Sequence, residues 1–216
     1  MNPPLDATQK PDAAAFWDKH YQSGELSQNP PANAVLRDVA HTLQSGSALD
    51  LGCGTGGDAL WLARRGWSVT ATDISPTAVS HVSASARALG LADTVHAVCH
   101  DLSATFPDGH FDLVSAQYLQ TPFDLPRAQI LRRAAHALTP AGLLLIVDHG
   151  SAAPWSWNKG PGVRFPLPSE VAAELALDPA VWRIERAQAC SREAVGPSGE
   201  HAEVIDHVLQ IRRITS

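Results

Sequence analysis

The chain has 216 residues and a mass of 23.0 kDa, enough for one sizeable core without disulfides or metals. Hydrophobic residues make up 44% and charged residues 18%, which excludes a disordered chain, a coiled coil and a collagen-like chain. With 16 basic against 22 acidic residues the formal charge is −6, which argues against general electrostatic binding to nucleic acid or anionic membrane.

Residues 1–12, rich in Pro and Asp, read as a loose tail, and 13–216 as a single domain. The spacing of Ala14, Phe16, Trp17 and Tyr21 predicts a helix from Ala13, ended by Gly24 and the Asn29-Pro30-Pro31 cluster. A second helix follows with Asn33 as N-cap and Val35, Leu36, Val39, Ala40 and Leu43 inward, stopped by Ser45-Gly46. Residues 48–51 form a short apolar strand, and a helix spans about 58–65. A strand over 68–72 reaches Asp73. A helix then runs from Pro76, a good first helical residue, to Leu89, with Gly90 as its stop. Segments 95–98 and 111–115 read as strands, 126–138 as a helix and 143–147 as a buried strand. This alternation implies right-handed crossovers and a mainly parallel sheet.

Residues 149–168 carry Pro154, Pro161, Pro166 and Pro168 together with Trp155 and Trp157. They read as a long irregular loop of the kind that compact domains use for function. A short helix over 169–177 follows. Strands 181–189 and 203–211 flank a polar turn, so the last strand is expected to pair antiparallel in a hairpin.

The N-terminus shows no basic region followed by an apolar core, so no signal peptide is expected. The run 143–147 with its flanks is far too short to cross a bilayer. Three cysteines, Cys53, Cys99 and Cys190, without a CxxC, fit a reducing cytoplasm. Ten histidines form no HxH or HExxH, and no metal site is expected.

The sharpest signal is Leu-Asp-Leu-Gly-Cys-Gly-Thr-Gly-Gly over 49–57, between the first strand and the next helix. Glycines there permit a tight turn and close approach of backbone to a ligand, and the helix start adds free N–H groups. Asp73, at the end of the second strand, sits where an acid accepts hydrogen bonds from both ribose hydroxyls of an adenosine. Gly52-x-Gly54-x-x-Gly57 also matches the dinucleotide fingerprint, so a nicotinamide dinucleotide oxidoreductase is an alternative. Three features point elsewhere. Asp50, two residues before the first glycine, suits a ligand with a positive amino group and would repel a pyrophosphate. A second acid, Asp101, follows the third strand. The terminal hairpin is not part of a plain dinucleotide fold.

Segment 48–57 resembles motif I of the class I S-adenosylmethionine-dependent methyltransferases. Asp73 is similar to their ribose-binding acid, and His100-Asp101-Leu102 to the segment whose acid receives the adenine amino group. Segments 111–114 and 138–146 resemble their fourth and fifth strands. The opening Phe16-Trp17-Asp18-Lys19-His20-Tyr21 resembles the small tellurite-resistance and thiopurine methyltransferase-like branch. The resemblance implies an α/β fold: a Rossmann-like three-layer sandwich on a seven-stranded, mainly parallel sheet of order 3-2-1-4-5-7-6, with strand 7 antiparallel. It implies methyl transfer from S-adenosylmethionine to a small-molecule acceptor by in-line displacement, leaving S-adenosylhomocysteine. A non-catalytic S-adenosylmethionine-binding protein is a further alternative.

The same resemblance implies a cofactor site. The backbone of Gly52, Cys53, Gly54 and Gly56 cups the methionine portion, with Asp50 nearby, and Gln117 approaches its amine. Asp73 holds the ribose, Asp101 takes the adenine amino group, and the Leu102 N–H meets the ring edge. Ile74 and Trp17 complete the set. The Asn/Asp-Pro-Pro-Tyr motif of amino-methylating DNA enzymes is replaced by Ser115-Ala116-Gln117-Tyr118, against methylation of nucleic-acid bases.

Acceptor residues are expected at the carboxyl ends of strands. The catalytic candidates are Tyr118 after the fourth strand and His149 after the fifth. An imidazole titrates near neutrality, so His149 is the candidate base for an acceptor that carries a proton. Tyr21, Trp155 and Trp157 are expected to line the acceptor pocket, and segments 13–44 and 149–168 to form a lid. A cytoplasmic monomer or homodimer, with no nucleic-acid or membrane partner, completes the expectation.

Overall fold

The computed structural model describes residues 12–24, 26–156 and 163–214. Apart from Asp12, the expected tail lies outside them. Among the described residues, six helices and seven strands follow in the order α1 (Ala13–Gln22), α2 (Ala34–Ala40), β1 (Ser47–Leu51), α3 (Gly57–Ala63), β2 (Ser68–Asp73), α4 (Pro76–Ala88), β3 (Val95–Cys99), β4 (Phe111–Gln117), α5 (Arg127–His136), β5 (Leu138–His149), α6 (Pro168–Leu175), β6 (Trp182–Val195) and β7 (His201–Arg213). The strands form one sheet of order β3-β2-β1-β4-β5-β7-β6, as expected. Strands β1 to β5 pair in parallel, and β7 runs antiparallel to both β5 and β6.

The period of two along each strand feeds two apolar layers. Ala48, Leu113, Leu143 and Leu145 face α2, α3 and α4 in one layer. Leu49, Val114, Leu144 and Ile146 face α5 and α6 in the other. A strand buried on both faces needs an unbroken apolar run, and the segment from Leu143 to Val147 supplies it.

Some element bounds differ from expectation. Leu138, expected to end a helix, begins β5. The α5 helix stops at His136, and Leu138 pairs with Phe111 before a register shift restores the ladder at Leu113–Leu143. The hairpin strands are far longer than expected, because β6 is an edge strand that is mostly exposed, with polar residues and Ile184 and Val195 alike outside the core, so no buried alternation marks its extent. Gln117, expected beyond β4, is its last residue. Asn33 stands at the N-cap position of α2 without capping it. Instead its backbone N–H and side-chain amide donate to the two Asp58 carboxylate oxygens, both at 2.7 Å, which fastens α2 to the first turn of α3. With Leu36, Val39 and Ala40 buried, α2 belongs to the core layer.

By contrast, α1 has no buried residue. Its N-terminus is capped by Asp12, whose carboxylate accepts from the N–H groups of Ala14 and Ala15. Asp18 docks it: Oδ1 accepts from the Ser75 hydroxyl at 2.8 Å and the Thr77 N–H at 2.9 Å, at the start of α4.

Candidate active site

The loop from β1 into α3 is tied down before any ligand is considered. The N–H groups of Gly52 and Cys53 both donate to the Thr72 carbonyl at 2.8 Å, and the Gly54 N–H donates to Asp73 Oδ2 at 3.0 Å. Gly54 and Gly56 are among the loop positions that demand glycine. Gly54 has φ +52°, and a β-carbon there would lie 3.0 Å from the Tyr21 hydroxyl. Gly56 has φ +84°, and a β-carbon there would lie 2.7 Å from a Val82 methyl of α4.

Three carboxylates sit under this loop. Asp73 accepts the Gly54 N–H on one oxygen and the Ser75 N–H, at 2.9 Å, on the other. Burial raises its pKa, and the backbone N–H bonds oppose the rise. Burial likewise raises Asp58, against the Asn33 bonds. Asp50 is 2% exposed, and burial, then the Asp58 and Asp73 charges, push its carboxyl well above the usual range. Its Oδ2 has no hydrogen-bond partner.

On the neighbouring strand, Ser115 is the register partner of Asp50, and Gln117 lies two residues further along the same face. The Gln117 amide donates to the Ser115 hydroxyl at 3.0 Å, while its Oε1 is also buried without a partner. Two buried, unpaired acceptors at adjacent strand ends match an ammonium group, which brings only donors. The acceptor pair therefore fits the amine of an amino-acid-like ligand.

Above the strand ends runs a cleft lined by Trp17 and Tyr21 of α1, by Gly52, Asp73, Ile74, Asp101 and Leu102, and by Tyr118, Leu119 and Thr121. The structure thus brings together Trp17, Gly52, Asp73, Ile74, Asp101 and Leu102. Tyr21, assigned from sequence to the acceptor pocket, stands instead in this cleft beside Gly54. Burial and the Asp73 carboxylate keep its phenol neutral. Asp101 is exposed, and its Oδ1 accepts from the backbone and hydroxyl of Ser103. Cys53 turns its thiol into the core layer, where burial raises its pKa, and its N–H is already spent on Thr72.

Several contributors were not singled out from sequence. Besides Asp18, Thr121 accepts from the Trp17 indole N–H at 3.3 Å, and the Phe123 ring meets Phe16 edge-on at 5.1 Å. Arg127 donates to the Leu119 carbonyl at 3.1 Å and to both Asp148 oxygens, at 2.6 and 2.7 Å.

His149 and Trp155 are not in the cleft. They line a second cavity of about 300 Å³, with Gln120, Phe165 and Arg192 among its walls. Tyr118 separates the two spaces: it lines the cleft, and its ring stacks on His149 with centroids 4.4 Å apart. Gln120 borders both. Tyr118 has φ +51° and donates its hydroxyl to Asp206 Oδ2 at 2.8 Å. Burial and the Asp206 carboxylate raise its pKa, so Tyr118, a catalytic candidate from sequence, is neutral and its hydroxyl is already bonded to Asp206. Burial, opposed by Asp206, lowers the pKa of His149, so its imidazole is neutral at pH 7. Trp157 lies outside the described residues.

Residues 48–142 match a family described as a methyltransferase domain. The methyltransferase GfsG of Streptomyces halstedii is 34% identical over 103 residues, covering 46% of this chain and 36% of that protein. A probable chloroplastic tocopherol O-methyltransferase of Oryza sativa subsp. japonica is 33% identical over 139 residues, covering 63% and 38%. The chain spans well under half the length of these two curated relatives. A solved structure concerned with conversion of a disulfide bond into a thioacetal group during echinomycin biosynthesis superposes with a TM-score of 0.71 at 27% identity, covering 94% of both chains. TehB from Haemophilus influenzae shares the fold, with a TM-score of 0.68 at 16% identity over 91% of this chain and 67% of that one. The glycine loop and the sheet order agree with the methyltransferase domain matched over residues 48–142.

Proposed function

We propose that this chain transfers a methyl group from S-adenosylmethionine to a small-molecule acceptor. The observation that carries the reading is the pair of buried, unpartnered acceptors, Asp50 Oδ2 and Gln117 Oε1, at the ends of β1 and β4. A dinucleotide would bring its pyrophosphate toward three buried carboxylates, whereas a methionine ammonium supplies the charge they lack. When bound, S-adenosylmethionine supplies an electrophilic methyl group on a sulfonium.

The chain's residues hold and orient. Asp50 and Gln117 take the ammonium. Each carboxylate oxygen of Asp73 accepts one backbone N–H and retains a lone pair for a ribose hydroxyl. Asp101 has its Oδ2 left for the adenine amino group. Trp17, Tyr21 and Leu119 exclude water from above. Orientation of this kind supplies roughly 7–11 kcal/mol in well-aligned systems.

For the acceptor, the cavity behind Tyr118 has a volume at the low end of small-molecule sites. The small-molecule reading also agrees with the tocopherol acceptor in the rice relative's name. His149, neutral at pH 7, takes the acceptor's proton at a ring nitrogen where the acceptor carries one. With α1 above and the flanks of segment 149–168 beside it, the site works as a covered one.

Calorimetry with S-adenosylhomocysteine and with NAD tests the cofactor. Binding of the first alone is expected, and preference for NAD overturns the reading. Release of S-adenosylhomocysteine on offering small thiols, amines, phenols and carboxylic acids tests turnover.

A further inference from the structure

The cavity behind Tyr118 has a charge pattern of its own. Among the described residues no carboxylate lines it, and Arg192 is its one formal cation. The guanidinium is fixed from behind. Its Nε donates to Asp206 Oδ2 at 2.5 Å, and one terminal nitrogen donates to Asp206 Oδ1 at 3.4 Å and to the Tyr118 hydroxyl oxygen at 3.3 Å. Asp206 is 2% exposed and Arg192 36%, so the carboxylate is sealed in while the guanidinium stays accessible; Arg192 lines both this cavity and a neighbouring surface pocket beside Glu193 and Glu203. The other terminal nitrogen makes no hydrogen bond among the described residues, which leaves two donors of the fork available.

The remaining walls carry aromatic and aliphatic groups beside the polar side chains of Gln120, Ser151 and Ser156. Trp155, Phe165 and the His149 ring supply aromatic faces, and Val204 adds an aliphatic patch. Burial keeps the imidazole uncharged, so it does not compete with Arg192 for an anion. An arginine already braced by a buried carboxylate loses little side-chain freedom when it grips a second anion.

Resting on the methyltransferase reading above, we infer that this cavity takes a small planar aromatic acid, its ring against Trp155 and Phe165 and its carboxylate on the free edge of Arg192. Acceptors of that class are then selected over their uncharged amides and esters.

Benzoate and benzamide, alike in shape and unlike in charge, are the probes. Each is titrated into the full chain with and without saturating S-adenosylhomocysteine, followed by calorimetry. Benzoate is expected to bind at least about tenfold tighter than benzamide. Arg192→Gln is expected to abolish that preference while leaving the S-adenosylhomocysteine affinity near the parent value; its melting temperature falls, because the buried Asp206 loses its cation, so binding is compared well below the variant's own melt. Arg192→Lys keeps the charge without the fork and is expected to retain part of the preference. Should Arg192→Gln fail to fold, salt decides in the parent protein: benzoate binding must weaken with ionic strength and benzamide binding must not. Equal affinities, a preference that survives Arg192→Gln, or no benzoate binding at millimolar concentration overturns the inference. Failure of S-adenosylhomocysteine to bind is a separate result and sinks the methyltransferase reading instead.

Discussion

Asp50 is a carboxylate in a place that penalises charge. It is buried, Asp58 and Asp73 raise it further, and one of its oxygens is unpaired. Asp50→Asn keeps the shape and removes the charge. The variant is expected to melt higher than the parent at neutral pH without ligand, because a desolvated charge has gone. It is also expected to bind S-adenosylhomocysteine about 10- to 100-fold more weakly, from the loss of a charged hydrogen bond worth ~1.5–3 kcal/mol. Thermal melts and calorimetry read both effects, and an unchanged dissociation constant removes Asp50 from the site. At His149, the imidazole proton is expected to titrate below the ordinary value of about 6.5. Proton NMR of the ring checks this, and a midpoint at or above that value contradicts the lowering by burial. Of these residues, Asp50 and Asp73 were legible in the sequence because their chemistry demands a fixed distance from the glycines. The separation of His149 from the cleft was not: a strand-end position gives the edge of the sheet, not the side of Tyr118 on which a ring will stack.

Two elements position the cleft. The Arg127–Asp148 pair ties the start of α5 to the end of β5, and Arg127 also holds the Leu119 carbonyl in the cleft-lining loop. Asp148 is 4% exposed at its side chain, and its burial outweighs the lowering by Arg127, so its pKa is raised. Arg127→Met leaves that carboxylate without its partner, and a loss of about 3 kcal/mol is expected by denaturant unfolding. Adding Asp148→Asn should restore much of it, since the cost lies in the stranded charge; a double variant as unstable as the single one contradicts this. The α1 helix is the looser element, held at Asp18 and by its aromatic face. Asp18→Ala is expected to raise hydrogen exchange across α1 and to weaken S-adenosylhomocysteine binding several-fold, with little change in melting. Sequence periodicity showed that α1 exists and which rings it carries. Its docking acid was hidden, because one Asp on a helix looks like any other until Ser75 and Thr77 are placed against it.

For the whole molecule, the placement of charge makes cofactor binding and protonation one equilibrium. Asp50, Asp58 and Asp73 all have raised pKa values in the fold. Each therefore binds protons more tightly folded than unfolded, so its contribution to stability is fullest below the ordinary carboxylate value and declines as pH rises toward the folded one. Asp18, Asp112 and Glu185 are lowered and act oppositely, adding stability above their ordinary values that is lost on acidification. A ligand ammonium beside Asp50 stabilises its ionised form, so the complex carries fewer protons than the free protein. Binding must then release protons and strengthen as pH rises through the raised Asp50 value. Two measurements follow at constant ionic strength. The melting-temperature gain from saturating S-adenosylhomocysteine should be larger at pH 8 than at pH 5.5. The binding enthalpy at one pH should change between buffers of different ionisation enthalpy, with the sign of proton release, and Asp50→Asn should reduce that difference. A gain independent of pH, together with a buffer-independent enthalpy, means that no acid under the glycine loop changes its charge on binding and that the ammonium is held elsewhere.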